Sequence, residues 1–555
     1  ARAEIRVGSV DIFAAKNVGA EAYAGAGGNS LGEGNGGVGG AALATTAHMT
    51  SDSLYLSSAT AISRAGDGGA GSGVGFSGAD GRDAGQVFAS VRSWGTSTAL
   101  AVAEARAGNG GDGLNGADAG DGGASLIEGS VLGTNDGGSL LLSTTAGAGD
   151  GGHASGGGDG GAGGAATARL DYDSRLSAPL ATQLNVDTSA FAGAGGSASG
   201  AAATAGSGGD ARAEGTARSN NSGGMSTDAR GGEGGAAFDG ATAAKGGGAT
   251  ATATSVAVDQ SISNVYTVGG KGGDSINAGI AGTGGVASGR AVAIGGTWVN
   301  ASADALSGDG GNASGVGSRG GDGAGVGSVR AQASGIDRAG ASVGAQGGSG
   351  GDGFDGADGG RGAAVNLVNA VSGSSAGGEL ALTQRAAAGS GGDSTGGIAA
   401  NGANGASRLT YDDVAANGFN AALTLRVEAA GGSGGSQFGE GVAGTGGNGV
   451  ATGTFNADVS VSITAVVQGA GGWGGDGAAP GAGGNGTATL TATGGTLNVW
   501  ADAVAGYAAV RSGIADATVR DVRRMSGVKA VTPLVSLYFG GEFIVKTGKY
   551  ENSTV

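Results

Sequence analysis

The sequence contains no cysteine, three prolines and only 4% aromatic residues in 555 positions. The absence of cysteine excludes a disulfide framework, thiolate metal sites and cysteine nucleophiles. So few large side chains provide little apolar surface for one large core, and we expect stability to come from many small, regular contacts. Because no run of 18 apolar residues occurs, we also expect no transmembrane segment.

Basic residues are scarce as well, with 29 Lys and Arg against 46 Asp and Glu, for a net charge of −17. Binding to nucleic acid needs a basic surface, so we expect no nucleic-acid partner. The two histidines, His48 and His153, lie in no nucleophile or metal-ligand motif, and the phosphate-loop motif G-x-x-x-x-G-K-[ST] is absent. We therefore predict that the chain is not an enzyme.

Glycine is in large excess, at 135 residues. Its clusters recur at intervals of about 40 residues, a period typical of repeat proteins. The clusters begin near Gly25, Gly66, Gly108, Gly147, Gly193, Gly231, Gly269, Gly308, Gly347, Ser390, Gly431 and Gly469. We predict a glycine-rich repeat region over residues 1–504 and a separate, non-repeat segment over residues 505–555.

Each unit also contains two runs in which small or β-branched residues alternate with polar ones, which predicts half-buried strands. In "AVAEARAG" the alternate positions from Ala101 to Ala107 are all alanine, so the layer that packs on them must come close. Pairs such as Gly295-Gly296 and Asp136-Gly137 separate the two runs and suit either a hairpin turn or a solenoid corner. We favour parallel stacking with one unit per coil, because stacked units bury each other's faces.

The glycine clusters have a period of three. In "GAGGWGGDGAAPGAGGNG", residues 469–486, side chains larger than alanine or proline occur only in the middle of each triplet. Three residues per turn is the repeat of the extended polyproline-II helix, which has no internal hydrogen bonds and can be buried only against close neighbours. We therefore predict an all-β fold: a repetitive parallel β-solenoid of about twelve units of about 40 residues, each combining two short strands with polyglycine-II segments.

These patterns resemble known surface proteins over residues 1–504. The G-x-G triplets interrupted by Asp, Asn and Ser resemble the polyglycine-II segments of glycine-rich antifreeze proteins, phage tip adhesins and PGRS-type bacterial surface proteins. The alternating Ala, Val and Thr runs resemble the coils of autotransporter and filamentous-haemagglutinin-like adhesins. The resemblance rests on composition, and it implies a secreted or cell-surface β protein.

Two acidic segments, "GGDGLNGAD" and "GGDGFDGAD", resemble a calcium-binding RTX nonapeptide. Ala117 and Ala357 stand where that repeat has a large apolar residue, and tandem copies are missing. In one three-fold helix the aspartates would follow one edge about 9 Å apart, so an ion would need carboxylates from adjacent units. Two interpretations stay open, a weak Ca²⁺ site and a solvated acidic edge; we expect no other cofactor. The carboxylates concerned are Asp112, Asp118, Asp352, Asp355 and Asp358.

Trp473 is the middle residue of a glycine triplet, so its ring is expected to point out of the glycine layer. An exposed aromatic at this place is a candidate adhesive or lateral-packing point.

The last segment contains "TPLVSLYFGGEFIVKTG", which predicts two apolar strands. It could cap the solenoid, pair with the N-terminal strand "ARAEIRVGSVDIF" of another subunit, or lead to an anchor. Pairing between subunits would be head-to-tail and would build a filament. The residues expected at that subunit contact are Leu534, Leu537, Tyr538, Phe539, Phe543, Ile544, Val545, Ile5 and Val7.

The sequence thus favours an extracellular structural protein, a stalk or filament on a bacterial surface that associates with itself as a homopolymer or lateral bundle. The alternative is an adhesin or binding module that presents a repetitive flat face to a host surface, glycan, receptor or ice.

Overall fold

The computed structural model of the chain describes residues 2–9, 15–51, 55–94, 98–176, 181–277, 279–415 and 420–507. These residues form strands and connecting segments, with one 3-10 turn at Ser174–Leu176 and no α-helix in the described ranges. All pairings between the described strands are parallel. The fold is the predicted parallel β-solenoid, with about 12 turns set about 40 residues apart.

One face of the solenoid is a continuous sheet, here called the long sheet. Its 13 described strands are stacked in chain order. They are Lys16–Tyr23, Ser57–Arg64, Thr98–Arg106, Ser139–Gly147, Gln183–Phe191, Ser222–Arg230, Gln260–Val268, Trp298–Leu306, Arg338–Gln346, Glu379–Ala387, Ala422–Ala430, Ser462–Ala470 and Thr496–Val504.

The facing strands form the split sheet, so called because its hydrogen bonding is interrupted twice. Its described strands are Arg2–Ser9, Ala44–Ser51, Gln86–Ser93, Ser125–Glu128, Val131–Asn135, Ala166–Asp173, Ala211–Ser219, Ala249–Ala257, Ala287–Ile294, Val329–Gly335, Val365–Val368, Val371–Ser375, Gly405–Asp412, Gly449–Asn456 and Gly486–Thr493. Two-residue strands mark a third ladder, the tip of each turn. They are Gly71–Ser72, Gly113–Leu114, Ala198–Ser199, Ala237–Phe238, Ser275–Ile276, Ala313–Ser314, Gly353–Phe354, Ser394–Thr395 and Gln437–Phe438.

The segments between the two sheets are solenoid corners and not hairpins. The strands on either side of Gly295-Gly296 pair with the equivalent strands of neighbouring turns and not with each other. Alternate side chains of both sheets point inward and form one apolar core in which alanine predominates. Ala101, Ala103 and Ala105 are fully buried, as the alternating pattern predicts.

Each turn leaves the long sheet into a glycine segment, reverses at the tip, and returns through a second glycine segment. We call the two stacks of such segments the first and second glycine columns. Backbone hydrogen bonds zigzag between them: Gly321 N–H donates to Gly311 O (2.8 Å), Gly351 N–H to Gly321 O (2.9 Å), and Gly360 N–H to Gly351 O (2.8 Å). Two such rows of hydrogen bonds run through the stack, one from Gly25 to Gly506 and one from Gly28 to Gly481. Alanine or arginine takes the place of glycine at a few positions in these rows.

Glycine predominates in these rows because each position lies directly against the preceding turn of its own column. A Cβ atom added to Gly351 would lie 1.8 Å from Gly311 O, and one added to Gly321 would lie 1.9 Å from Gly282 O. The other glycine of each triplet has the opposite arrangement. Gly350 N–H donates along its own column to Ser390 O (2.9 Å), and a Cβ atom added there would lie 1.9 Å from Gly360 O of the other column. Two of three faces are therefore closed to side chains, which explains the period of three.

The split sheet opens at two places, six strand positions apart. At the first, Ser125–Glu128 pairs forward with Ala166–Asp173, whereas Val131–Asn135 pairs back with Gln86–Ser93. The Tyr172 hydroxyl enters this gap and donates a hydrogen bond to Gly133 O. At the second opening, the Tyr411 hydroxyl donates equivalently to Gly373 O (3.3 Å).

Replacing Gly321 by alanine should lower the free energy of unfolding by about 2 kcal/mol or more, because the added methyl group overlaps a backbone oxygen that cannot move alone. Gly325→Ala is the matched control in the same turn, since its Cβ would meet nothing closer than Ala364 O at 3.9 Å. The control should be neutral or slightly stabilising. Thermal and urea unfolding would measure both; equal stability of the two variants would contradict close packing of the columns.

Candidate functional site

The outer edge of each glycine column carries the middle residues of the triplets. Their N–H groups point along the stack toward the preceding turn, where an Asp, Asn or Ser side chain accepts the bond. Asp393 N–H donates to Asp352 Oδ1 (2.9 Å), and Ser436 N–H donates to Asp393 Oδ1 (2.6 Å). The outer edge is thus a ladder of side-chain acceptors. They bind the backbone N–H groups that have no backbone acceptor within the columns.

One ladder continues across six turns and has a defined electrostatic character. Its members are Asp274, Asn312, Asp352, Asp393, Ser436 and Asp476. Burial raises the pKa of Asp393 above the ordinary aspartate value, and the nearby carboxylates of Asp352 and Asp476 raise it further, against the lowering effect of the Ser436 N–H bond. Charged carboxylates in adjacent turns of the ladder therefore repel each other and lower stability, whereas the neutral amide of Asn312 avoids this electrostatic cost.

The two acidic nonapeptides are tip turns and not continuous three-fold helices. Asp355 and Gly356 have positive φ of 52° and 88°, and Ala357 N–H donates to Phe354 O (3.1 Å). This is a type I′ turn, for which Asp-Gly and Asn-Gly are the preferred pairs. Asn115-Gly116 repeats the same geometry. The expected single edge of three aspartates is wrong, because the chain reverses between Asp352 and Asp358.

Four of the five aspartates of these segments lie at separate positions of the ladders. Asp112 Oδ1 accepts from His153 N–H (2.9 Å), and Asp118 Oδ1 accepts from Asp159 N–H (2.9 Å). Asp358 Oδ1 accepts from Ile398 N–H (2.8 Å), while Asp355 lies in the tip turn. Within the described ranges, no three His, Asp or Glu side chains converge as a metal site would require. A weak Ca²⁺ site remains an untested prediction.

Trp473 lies on the outer edge of the first glycine column in the last described turn. Its side chain is 62% exposed, and its ring meets that of Tyr507 edge to face, with centroids 6.1 Å apart. The outward orientation agrees with the triplet pattern. Whether the ring serves adhesion or lateral packing stays a prediction.

The N-terminal end of the solenoid exposes inward-facing core positions. Ile5 and Val7 lie in the first strand of the split sheet, in register with the buried Ala47 and Met49 of the next strand. Both are 37% exposed, because no described turn precedes them. The remaining residues of the expected subunit contact, from Leu534 to Val545, lie outside the described residues.

The last described turn exposes core positions in the same way, and sequence reasoning missed them. Leu497 and Val499 are in register with the fully buried Ile463 and Ala465, yet are 44% and 38% exposed. Their strand, Thr496–Val504, is the last described strand of the long sheet. Their alternation within "TLNVW" predicts a strand, but only the stacking order places it at the end of the described stack. Both ends of the described solenoid therefore carry exposed apolar rows.

Asp393→Asn should stabilise the protein at neutral pH, since it keeps an acceptor for Ser436 N–H and removes a partly buried charge. The pKa of Asp393 is higher in the folded than in the unfolded state. Ionisation of this carboxyl therefore lowers the free energy of unfolding as the pH rises above about 4 and passes the raised pKa. The variant's gain in unfolding midpoint should be near zero at pH 3 and positive at pH 7. Asp309→Asn, at an exposed rung bonded to Ser349 N–H (2.6 Å), is the control and should show a smaller gain. A gain at Asp393 that is independent of pH would contradict the explanation.

Comparison with protein-family models, with curated proteins and with solved structures finds no match. In the described part of the chain, no helix is long and apolar enough to cross a membrane. The resemblance to glycine-rich surface proteins therefore rests on composition alone.

Proposed function

We propose that this chain is a non-catalytic structural protein, the shaft of a stalk or filament on a bacterial surface. The observation that carries the proposal is the pair of hydrogen-bond rows that rise from the first turn to the last. They join every turn to the next by backbone bonds and close contacts, so load along the axis is shared by all turns. Thirteen strand layers at 4.7–4.9 Å give a shaft about 60 Å long.

The two ends support growth by head-to-tail stacking of subunits. Translation by one more turn would place the first described strands of a second copy, Arg2–Ser9 and Lys16–Tyr23, on the last described strands, Gly486–Thr493 and Thr496–Val504. The apolar rows exposed at each end would then cover each other, as equivalent rows do inside the stack. A heterologous contact of this kind is open-ended and generates a filament.

Composition supports the rest of the proposal. The acidic surface would keep neighbouring shafts soluble by charge repulsion, and it would also repel nucleic acid. A lack of cysteine and the resemblance to surface exoproteins favour an extracellular location. The partners we propose are other copies of the chain and the surfaces that a stalk would reach.

The double variant Ile5→Asp, Val7→Asp should reduce polymer formation at least tenfold at a fixed protein concentration, because it places two carboxylates in the apolar contact. Electron microscopy and sedimentation velocity would measure polymers, and wild-type filaments should have an axial repeat close to one subunit.

Gly8→Asp is the matched control, since Gly8 lies next to Val7 on the same strand and a Cβ there meets nothing within 4 Å. The control should polymerise like the wild type, and circular dichroism should show all three proteins folded. A wild-type chain that stays monomeric at millimolar concentration, or a double variant that polymerises normally, would refute the proposed assembly.

A further inference from the structure

A groove of about 600 Å³ crosses the outer face of the split sheet at its first opening. Outward side chains of the strands Ala44–Ser51, Gln86–Ser93 and Val131–Asn135 form its floor. The 3-10 turn that follows Tyr172 forms one wall, with Leu176 86% exposed on the rim. The groove lies at this opening, where Val131–Asn135 pairs only backward and residues 170–173 pair only forward.

One side of the groove is polar and carries positive charge. Arg6, His48 and Ser90 form a single row across three strands, and His48 Nδ1 lies 2.5 Å from Ser90 Oγ. Thr50 Oγ1 lies 3.3 Å from His48 Nε2, so both ring nitrogens are held. Arg92, in the neighbouring row, has its guanidinium 4.7 Å from the ring centroid of Trp94.

Among the described charged residues that line the groove, Arg92 is the one with no ion pair, although its guanidinium stacks on the Trp94 ring. Arg6 is paired with Glu4 (2.9 Å), and the Asp173 carboxylate is paired with Arg175 (2.7 Å). Arg92 makes no ion pair with any residue in the described ranges. In a chain with a net charge of −17, an unpaired arginine beside a concave surface marks a place for an anionic group.

The floor is largely apolar, although it lies on the outside of the solenoid. Phe88 is half-buried and Leu132 is 51% exposed, in line with Ser90. The side chains of Thr46 and Thr134 flank them, with the Thr134 hydroxyl oxygen buried. Apolar faces with a few convergent polar groups are typical of ligand sites, and here they lie side by side across about 14 Å, the span of four parallel strands.

We propose that this groove binds an acidic oligosaccharide, with a sugar carboxylate at Arg92 and sugar faces on Phe88 and Leu132. An extended peptide is disfavoured, because the floor is a sheet face whose backbone groups are already paired, whereas peptides commonly add to sheet edges. Side-chain hydroxyls beside apolar faces match the alternating hydroxyls and C–H faces of a sugar chain. The groove adjoins the proposed filament contact, because Arg6 on its rim lies between Ile5 and Val7. The residues proposed to bind the sugar lie two and three strands further along the sheet, so binding can be measured independently of polymer formation.

The test uses the whole chain and a panel of acidic oligosaccharides, comprising tetragalacturonate, a hyaluronan tetrasaccharide and a trimer of sialic acid. Calorimetry should show saturable binding of at least one. Its methyl-ester form, which lacks the charge, should bind at least tenfold more weakly. Arg92→Gln should cause a similar loss and reduce the dependence of binding on salt.

Arg330→Gln is the matched control, because Arg330 is an exposed, outward-facing arginine on the same sheet outside the groove. It should bind like the wild type. Leu132→Thr should weaken binding while keeping the salt dependence. No binding of any panel member, equal binding of acid and ester, equal loss in both arginine variants, or tighter binding of a polyglutamate peptide would each overturn the proposal.

Discussion

The structure depends on one interaction, the backbone hydrogen bond that crosses between the two glycine columns. A three-fold extended chain has no internal bonds, so every N–H and C=O must find a partner on a neighbouring segment. The bond from Gly351 N–H to Gly321 O needs the two backbones in direct contact, and a methyl group on either glycine would collide with a carbonyl. The high glycine content therefore follows from geometry, and the ordering cost of glycine is offset by bonds in all directions.

This constraint also determines what the rest of the turn can contain. With two faces of each glycine segment closed, polar side chains collect on the outer edge, where Asp352 and Asp393 accept bonds from the next turn. In the other half of each turn, the long sheet and the split sheet enclose an apolar core that is thin enough to be filled mainly by alanine. The acidic charge of the chain is thus partly a structural feature, since aspartate is a frequent acceptor along the ladders.

Much of this fold follows from the sequence, because both of its periods are visible there. The period of three around Trp473 predicts the columns, and the alternation from Ala101 to Ala105 predicts a strand with a buried face. The period of three does not predict the tip turn, because it continues unbroken through Asp355-Gly356, where the chain reverses direction. The signal for this turn is the Asp-Gly pair itself, which favours a type I′ turn. The opening near Tyr172, and with it the groove, depends on pairing between distant turns, which no local pattern encodes.

Amide hydrogen exchange would show whether the glycine columns are hydrogen-bonded layers as ordered as the sheets. The inward amides of residues 347–364, including Gly351 and Gly360, should exchange as slowly as those of the adjoining strand Arg338–Gln346. Complete exchange of this segment within minutes, while the strand stays protected, would contradict hydrogen-bonded columns.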